Sequence, residues 1–230
     1  MRALSILLAA LFILPATTRA QAPVQAPGGD WTRAVSVTPG GAYVLGDPRA
    51  TRLIEYVSYT CPHCAHFVAE GSGPLRTEWV RRGALSIEIR HAIRDPYDLT
   101  AAVLARCGGK GRFFADHEAL FANQPVWLPK VDAYEQKRGD RPVPRDPTAQ
   151  LADIAAGTGL ADFMARRGLP LAKQRACFAD KATVAALAAM AKDAWEVKKI
   201  GGTPSFSVGG TMVDAHGWDD LRPSLPGSPK

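Results

Sequence analysis

The sequence predicts an α/β protein with a central mixed β-sheet flanked by helices and an all-helical insertion within it. Three observations predict this fold class. A strand–helix–strand pattern covers residues 53–90, a hairpin pattern follows residue 204, and Ala- and Leu-rich helical spacing fills residues 97 to about 200. A strand–helix–strand unit favours parallel pairing and a hairpin requires antiparallel pairing, so the sheet should contain both.

The first twenty residues have the features of a secretory signal peptide. Arg2 supplies a positive charge, an apolar stretch runs from Leu4 to Pro15, and Thr18-Arg19-Ala20 ends the segment with small residues. The stretch is short for a membrane span, although a retained anchor helix is the alternative. Cleavage after Ala20 would lower the formal net charge from +6 to +4. We therefore predict export to the periplasm.

Removing the signal peptide from the 230-residue chain leaves 210 residues, which is enough for one domain with an insertion. The basic excess is spread over the chain as short pairs without a nucleic-acid-binding motif, so we expect no nucleic-acid partner. We assign residues 21–39 to a flexible leader, 40–96 and 196–223 to a discontinuous α/β domain, 97–195 to the helical insertion and 224–230 to a disordered tail.

The first strong strand signal is the apolar, aromatic and β-branched run at residues 53–59. Side chains alternate along a strand, so Glu55 shares its face with apolar neighbours, namely Leu53, Val57 and Tyr59. One interpretation is an exposed glutamate on an edge strand. The other is a partly buried acid whose pKa is raised by burial and which relays protons to Cys64 during exchange.

The motif Cys61-Pro62-His63-Cys64 follows this strand and precedes a helix-compatible segment. Pro62 suits the first helical position, which places Cys61 at a helix N-terminus, where N–H groups and the helix dipole favour a thiolate. A redox dithiol is the favoured interpretation. Two alternatives stay open. One is a metal site, although no second pair of Cys or His residues stands at metal-ligand spacing. The other is a structural disulfide, although closing so short a loop adds little stability. We predict no metal.

The helix after the motif should stop or kink at residues 71–74 and resume through Leu75 and Trp79, before a second strand at residues 85–90. In the insertion we predict helices near 97–107, 112–122, 148–157, 160–167 and 170–199. Five prolines between residues 123 and 147 predict a long surface loop there. A final helix should begin near Trp218.

Cys107 and Cys177 are the two cysteines outside the motif, and both lie in the predicted helical region. Unpaired thiols would oxidise after export, so we predict a structural disulfide between Cys107 and Cys177.

The spacing Glu-x5-Cys-Pro-His-Cys at residues 55–64, the helical insertion, and Gly-Thr-Pro before a hairpin at residues 202–204 together resemble the DsbA-like branch of the thioredoxin superfamily. The resemblance covers residues 40 to 222 and implies a thioredoxin-like fold. A Cys-x-x-Cys motif alone is a weak signal, but a Thr-Pro about 140 residues later makes the combination specific.

The resemblance implies a role for each matching residue. Cys61 would be the exposed nucleophile that forms a mixed disulfide with a client, and Cys64 the buried resolving cysteine. His63 marks the oxidising version of the motif. Thr203 and a cis Pro204 would lie opposite the dithiol and offer their backbone to an extended client strand.

The resemblance also implies a periplasmic thiol:disulfide oxidoreductase that introduces disulfides into exported proteins with free cysteines. We expect a membrane redox partner that resets the dithiol, no cofactor, and a monomer. A disulfide isomerase or reductase of the same fold is the nearest alternative. A non-catalytic, metal-handling protein of the fold is the other.

Overall fold

The computed structural model describes residues 29–140 and 142–227. The predicted signal peptide and residues 21–28 of the predicted leader lie outside the described residues, as do residues 228–230 of the predicted tail.

In the described part of the chain, six strands form one mixed sheet in the order β1-β2-β4-β3-β5-β6. The strands are β1 (Val35–Val37), β2 (Tyr43–Gly46), β3 (Thr51–Val57), β4 (Leu85–His91), β5 (Ser205–Val208) and β6 (Thr211–Val213). Only β3 and β4 pair in parallel, and every other pairing is antiparallel. The strand–helix–strand unit therefore supplies the parallel centre, and two hairpins extend it.

The helix after β3, α1 (Pro62–Pro74), does not stop at residues 71–74. It passes directly into a π-helical segment, Leu75–Val80, in which Leu75 and Trp79 are buried. Pro74 has no N–H to donate to the preceding turn, which is a common reason for a change of helical register. The chain thus changes its winding where an interruption was predicted.

The insertion between β4 and β5 consists of helices, with a final π-helical segment at Asp193–Val197. The α-helices are α2 (Pro96–Arg106), α3 (Phe113–Ala122), α4 (Gln124–Trp127), α5 (Lys130–Arg138), α6 (Pro147–Gly157), α7 (Leu160–Arg166), α8 (Leu171–Phe178) and α9 (Lys181–Lys192). Aspartates cap three of them: Asp95, Asp146 and Asp180 each accept backbone N–H groups of the first turn.

Two predictions about this insertion are wrong. The predicted loop at residues 123–147 contains α4 and α5, because Pro125 and Pro129 stand at helix starts, where a missing N–H costs nothing. The predicted single helix at 170–199 is two helices, because Asp180 caps a new one after Phe178.

The assigned leader and tail also extend too far into the fold. β1 pairs with β2, so residues from Val35 onward belong to the sheet, and the buried side chain of Trp31 packs against the core. At the other end Leu225 is buried and the Pro226 carbonyl accepts a hydrogen bond from Trp79 Nε1 at 2.9 Å. Short polar or Pro-rich segments can still pack when one large side chain anchors them.

Both faces of the sheet are covered. The larger core includes Leu53 and Val57 of β3 with Phe67 of α1, while Tyr56 of β3 packs in a second cluster with Ala194 and Ile200. Cys107 and Cys177 form a disulfide that joins the end of α2 to α8. No helix in the described ranges has both the length and the apolar character that a membrane crossing requires.

Candidate active site

The two thiols of the motif lie at the start of α1, after the short loop that follows β3. Cys61 is the N-cap of α1 in an extended conformation, Pro62 is the first helical residue, and Cys64 lies in the first turn. Cys64 is fully buried, and Cys61 is only 3 % exposed. The expectation of an exposed Cys61 is therefore wrong in degree, because the chain around Thr203 lies against its sulfur.

The loop before β5 lies opposite the dithiol. The Thr203–Pro204 peptide bond is cis, and the Cys61 Sγ–H donates a hydrogen bond to the Thr203 carbonyl at 3.0 Å. β5 pairs with β3, with Tyr56 opposite Ser205, so the sheet itself holds this loop beside the end of β3. Residues about 140 positions apart in the sequence thus share one site.

The environment of Cys61 favours its thiolate. A hydrogen bond from the Cys64 thiol lowers the pKa of Cys61 to about 5, against the opposing effect of burial. The Thr203 side chain and the backbone N–H groups of Cys64 and His63 lower this pKa further. Free N–H groups in the first helical turn are a general feature that stabilises anions, so the helix start itself activates this thiol.

The environment of Cys64 has the opposite effect. Burial, followed by the hydrogen bond and the charge of Cys61, raises the pKa of Cys64 well above its usual value. The two sulfurs are therefore chemically distinct at neutral pH: Cys61 is the anion and Cys64 keeps its proton.

Glu55 lies on the face of β3 that α1 covers. It stands opposite Phe206 of β5, whose ring packs on Phe67 of α1 with 4.6 Å between centroids. Only 3 % of Glu55 is exposed, and burial together with the charge of Glu118 raises its pKa to about 8, while Arg76 lowers it. The interpretation as an exposed edge glutamate is wrong, since β3 is a central strand.

A small cavity of about 280 Å³ opens beside the dithiol. It is lined by His63, by the cis-proline loop and by His216. Sequence reasoning did not identify His216, because nothing local marks a histidine after a short edge strand. In the residues that the structure covers, no three His, Cys, Asp or Glu side chains are arranged to hold a metal ion.

Comparison with known proteins decides the family. The model of a family described as Thioredoxin matches residues 38–225. The chain belongs to this thioredoxin family. The match spans the dithiol, the insertion and the cis-proline loop, so the fold class and the resemblance found in the sequence are both confirmed.

Solved structures of related proteins support this placement in the thioredoxin family. A protein-disulfide isomerase from Novosphingobium aromaticivorans is 35 % identical, with 79 % of this chain and 93 % of that one covered and a TM-score of 0.71. Alpha-DsbA1 from Wolbachia pipientis is 24 % identical, covers 75 % of this chain and 76 % of its own, and has a TM-score of 0.58. The second likeness concerns the fold.

A curated relative from Rickettsia prowazekii is 27 % identical over 184 residues, and its name provisionally describes a protein-disulfide oxidoreductase. The alignment covers 79 % of this thioredoxin-family chain but only 59 % of the relative.

Thr203 is expected to tune the Cys61 thiol of this thioredoxin-family chain. Its Oγ1 is buried without a hydrogen-bond partner among the described residues, so the hydroxyl is available to a thiolate. Thr203→Val keeps the shape and removes this donor. We expect the acid dissociation constant of Cys61 to fall about tenfold, since hydrogen bonds to charged groups contribute more than 1 kcal/mol.

Ultraviolet absorbance of the thiolate, followed during a pH titration of the reduced protein, measures this change. Thr158→Val is the matched control, because Thr158 is also buried but donates to the Ile154 carbonyl within α6. If both variants, or neither, change the titration of Cys61, the hydroxyl of Thr203 has no specific role.

Proposed function

We propose that this protein is a periplasmic thiol:disulfide oxidoreductase that introduces disulfides into exported proteins through Cys61 and Cys64. One observation carries the proposal. Cys61 lies at the N-terminus of α1, 3.0 Å from the Thr203 carbonyl, with its pKa lowered to about 5 beside the protonated Cys64. This pairing of a reactive and a protected thiol suits disulfide exchange.

The low pKa of Cys61 also shifts exchange toward disulfide donation. At pH 7 a thiol with a pKa of about 5 is ionised, which stabilises the reduced protein by about 3 kcal/mol relative to an ordinary cysteine. For a two-electron couple this raises the reduction potential by about 60 mV. The disulfide form is therefore a stronger oxidant than a pair that contains only ordinary cysteines, and this favours disulfide donation.

In the first step a client thiolate attacks Cys61 Sγ of the oxidised protein. The Cys61–Cys64 bond breaks, a mixed disulfide forms between the client and Cys61, and Cys64 leaves with the electron pair. Because the pKa of Cys64 is raised well above its usual value, this thiolate takes a proton. Glu55, neutral at pH 7 with its pKa raised to about 8, supplies that proton in our proposal.

In the second step another thiolate of the client attacks the client sulfur of the mixed disulfide. The client disulfide forms and Cys61 leaves as a thiolate. A thiol of low pKa is a good leaving group, so the same property that activates Cys61 speeds release of the oxidised client. The protein ends with both cysteines reduced.

The Thr203 carbonyl lies beside the reacting sulfur, 3.0 Å from Cys61 Sγ. A protonated Cys61 donates to this carbonyl, whereas neither the thiolate nor the disulfide has a thiol proton to donate. In both of those states the carbonyl is available to a backbone N–H of an extended client near His63.

The signal-peptide pattern of residues 1–20 supports action in the periplasm. A membrane redox partner that accepts the electrons is the corresponding requirement for turnover. A second candidate is disulfide isomerisation, favoured by the name of the Novosphingobium relative.

The reduction potential of the Cys61–Cys64 pair, equilibrated in glutathione buffers with Cys107–Cys177 intact, tests the proposal. A potential of about −120 mV, together with rapid oxidation of a reduced unfolded client that Cys61→Ser abolishes, is the expected result. About −180 mV with repair of a scrambled client would indicate an isomerase, and about −270 mV a reductase. Absence of catalysed exchange would overturn the enzyme assignment itself.

A further inference from the structure

The loop between β3 and α1 is held by side chains of the helical insertion. Its own backbone makes one turn bond, from the Cys61 N–H to the Ser58 carbonyl at 3.1 Å. The Tyr59 N–H donates to Asp98 Oδ1 at 2.7 Å. Gln124 Nε2 donates to two loop carbonyls, that of Tyr59 at 2.7 Å and that of Cys61 at 3.0 Å.

Burial and packing hold Gln124 in this contact. It is 4 % exposed and begins the short helix α4, which the fully packed Trp127 anchors. Trp127 Nε1 in turn donates to the Leu120 carbonyl at 3.3 Å. A long polar side chain loses considerable freedom when buried, and here both amide hydrogens are used on one loop.

The contact reaches the nucleophile through the backbone. The Cys61 carbonyl that accepts from Gln124 also accepts the Ala65 N–H at 3.3 Å, the first hydrogen bond of α1. Gln124 therefore fixes the peptide plane at which α1 starts. The same turn carries the N–H groups of His63 and Cys64, and it aims Cys61 Sγ at the Thr203 carbonyl.

We propose that Gln124 is a positioning residue for Cys61: its amide holds the carbonyls of Tyr59 and Cys61 so that the thiol stays aligned with the first turn of α1 and with Thr203. This inference rests on the proposed function only in giving Cys61 the role of nucleophile. The insertion thus acts on the dithiol through the backbone of the loop before α1.

The chain offers a matched control in Gln174. It is 2 % exposed, lies in α8, and its Nε2 also donates to two backbone carbonyls, those of Ala161 and Leu169, both at 2.8 Å. Both acceptors belong to the insertion and not to the loop before α1. Gln→Met at either position removes two buried hydrogen bonds of the same kind. At Gln174 it also removes an amide oxygen that is buried without a partner, so the loss of stability should be smaller there.

The acid dissociation constant of Cys61, measured by thiolate absorbance, is the decisive readout, with thermal unfolding beside it. We expect Gln124→Met to lower this constant about tenfold and Gln174→Met to leave it within about twofold of the wild type, while both lose thermal stability. Equal dissociation constants in the two folded variants would overturn the proposal.

If Gln124→Met does not fold, Gln124→Asn keeps the amide but withdraws it by one methylene, and the same loss of Cys61 acidity is expected. Wild-type acidity in that variant, with its carbonyl contacts beyond reach, would overturn the positioning role. Thiol titration needs no client, so a failure of this inference can be distinguished from a failure of the proposed function. The latter would appear as the absence of disulfide exchange by the wild type.

Discussion

Replacing Glu55 by glutamine is expected to stabilise the fold by about 3 kcal/mol at pH 7. Burial and the neighbouring charge of Glu118 raise the pKa of Glu55 to about 8 in the folded protein, whereas an unfolded chain ionises near its ordinary value. Folding at pH 7 therefore requires the carboxyl to take up a proton. Glutamine keeps the shape of the protonated acid and has no such cost.

This gain in stability should depend on pH, because it comes from the proton that Glu55 takes up on folding. Below about pH 4.5 the carboxyl is protonated in both states and the substitution has little effect. Between about pH 4.5 and 8 the Glu55 carboxyl costs the wild type stability as the pH rises, and the variant has no such cost, so the difference between the two proteins grows and then levels off. Denaturant unfolding of both proteins at several pH values measures it.

Glu88 provides the matched control for this prediction. It is also a buried strand glutamate, but its carboxylate accepts from Arg52 at 2.9 Å and from Arg90 at 2.7 Å. Glu88→Gln should therefore destabilise the protein, because Arg52 loses its charged partner and Arg90 keeps only Asp193. A Glu55→Gln variant that is less stable than the wild type would contradict the assignment of a neutral buried acid. So would a gain in folding stability that is the same at every pH.

The same Glu55→Gln variant should exchange disulfides more slowly, with an altered pH profile, if Glu55 supplies a proton to Cys64. A more stable but slower protein would mean that the buried acid is maintained for chemistry and not for folding. Unchanged exchange kinetics would remove Glu55 from the proposed mechanism.

Removing the Cys107–Cys177 disulfide by a double alanine substitution should cost about 4 kcal/mol of folding stability. The bridge spans 70 residues, and closing so long a loop restricts the unfolded chain strongly in the chain-entropy model. The bridge also ties α2 to α8, so its loss should loosen the insertion first. Denaturant unfolding under oxidising conditions measures the change.

Reduction provides the control for the double variant. In a reductant strong enough to open both pairs, the wild type should lose most of its advantage and unfold close to the variant. A double variant as stable as the oxidised wild type would show that packing alone holds α2 against α8.

The strands and the dithiol could be predicted because their signals are local. Alternation along β3 placed Glu55 with Leu53 and Val57, and the structure buries all three. Gly209-Gly210 marked the β5–β6 turn, and Pro62 marked the start of α1. Each of these features depends on a few neighbouring residues.

The parts that were missed depend on contacts between distant segments. Prolines between residues 123 and 147 signal breaks, but Pro125 and Pro129 stand at the starts of short helices. The first of these helices is held by the burial of Trp127, which local sequence does not reveal. Gln124 reaches the loop at Tyr59 across 65 positions of sequence, and no spacing rule marks such a contact. The covered state of Cys61 likewise arises from Thr203, far along the chain.

The two cysteine pairs of this protein are consecutive in chain order: Cys61 stands beside Cys64, and Cys107 is bridged to Cys177. A chain that enters an oxidising compartment with its N-terminus first presents its thiols in that same order. Pairing each cysteine with the next one to arrive then gives the native pattern, with no crossed intermediate to undo. If the protein is exported as proposed, it can therefore form both pairs in their order of arrival, without the reshuffling that interleaved cysteines require.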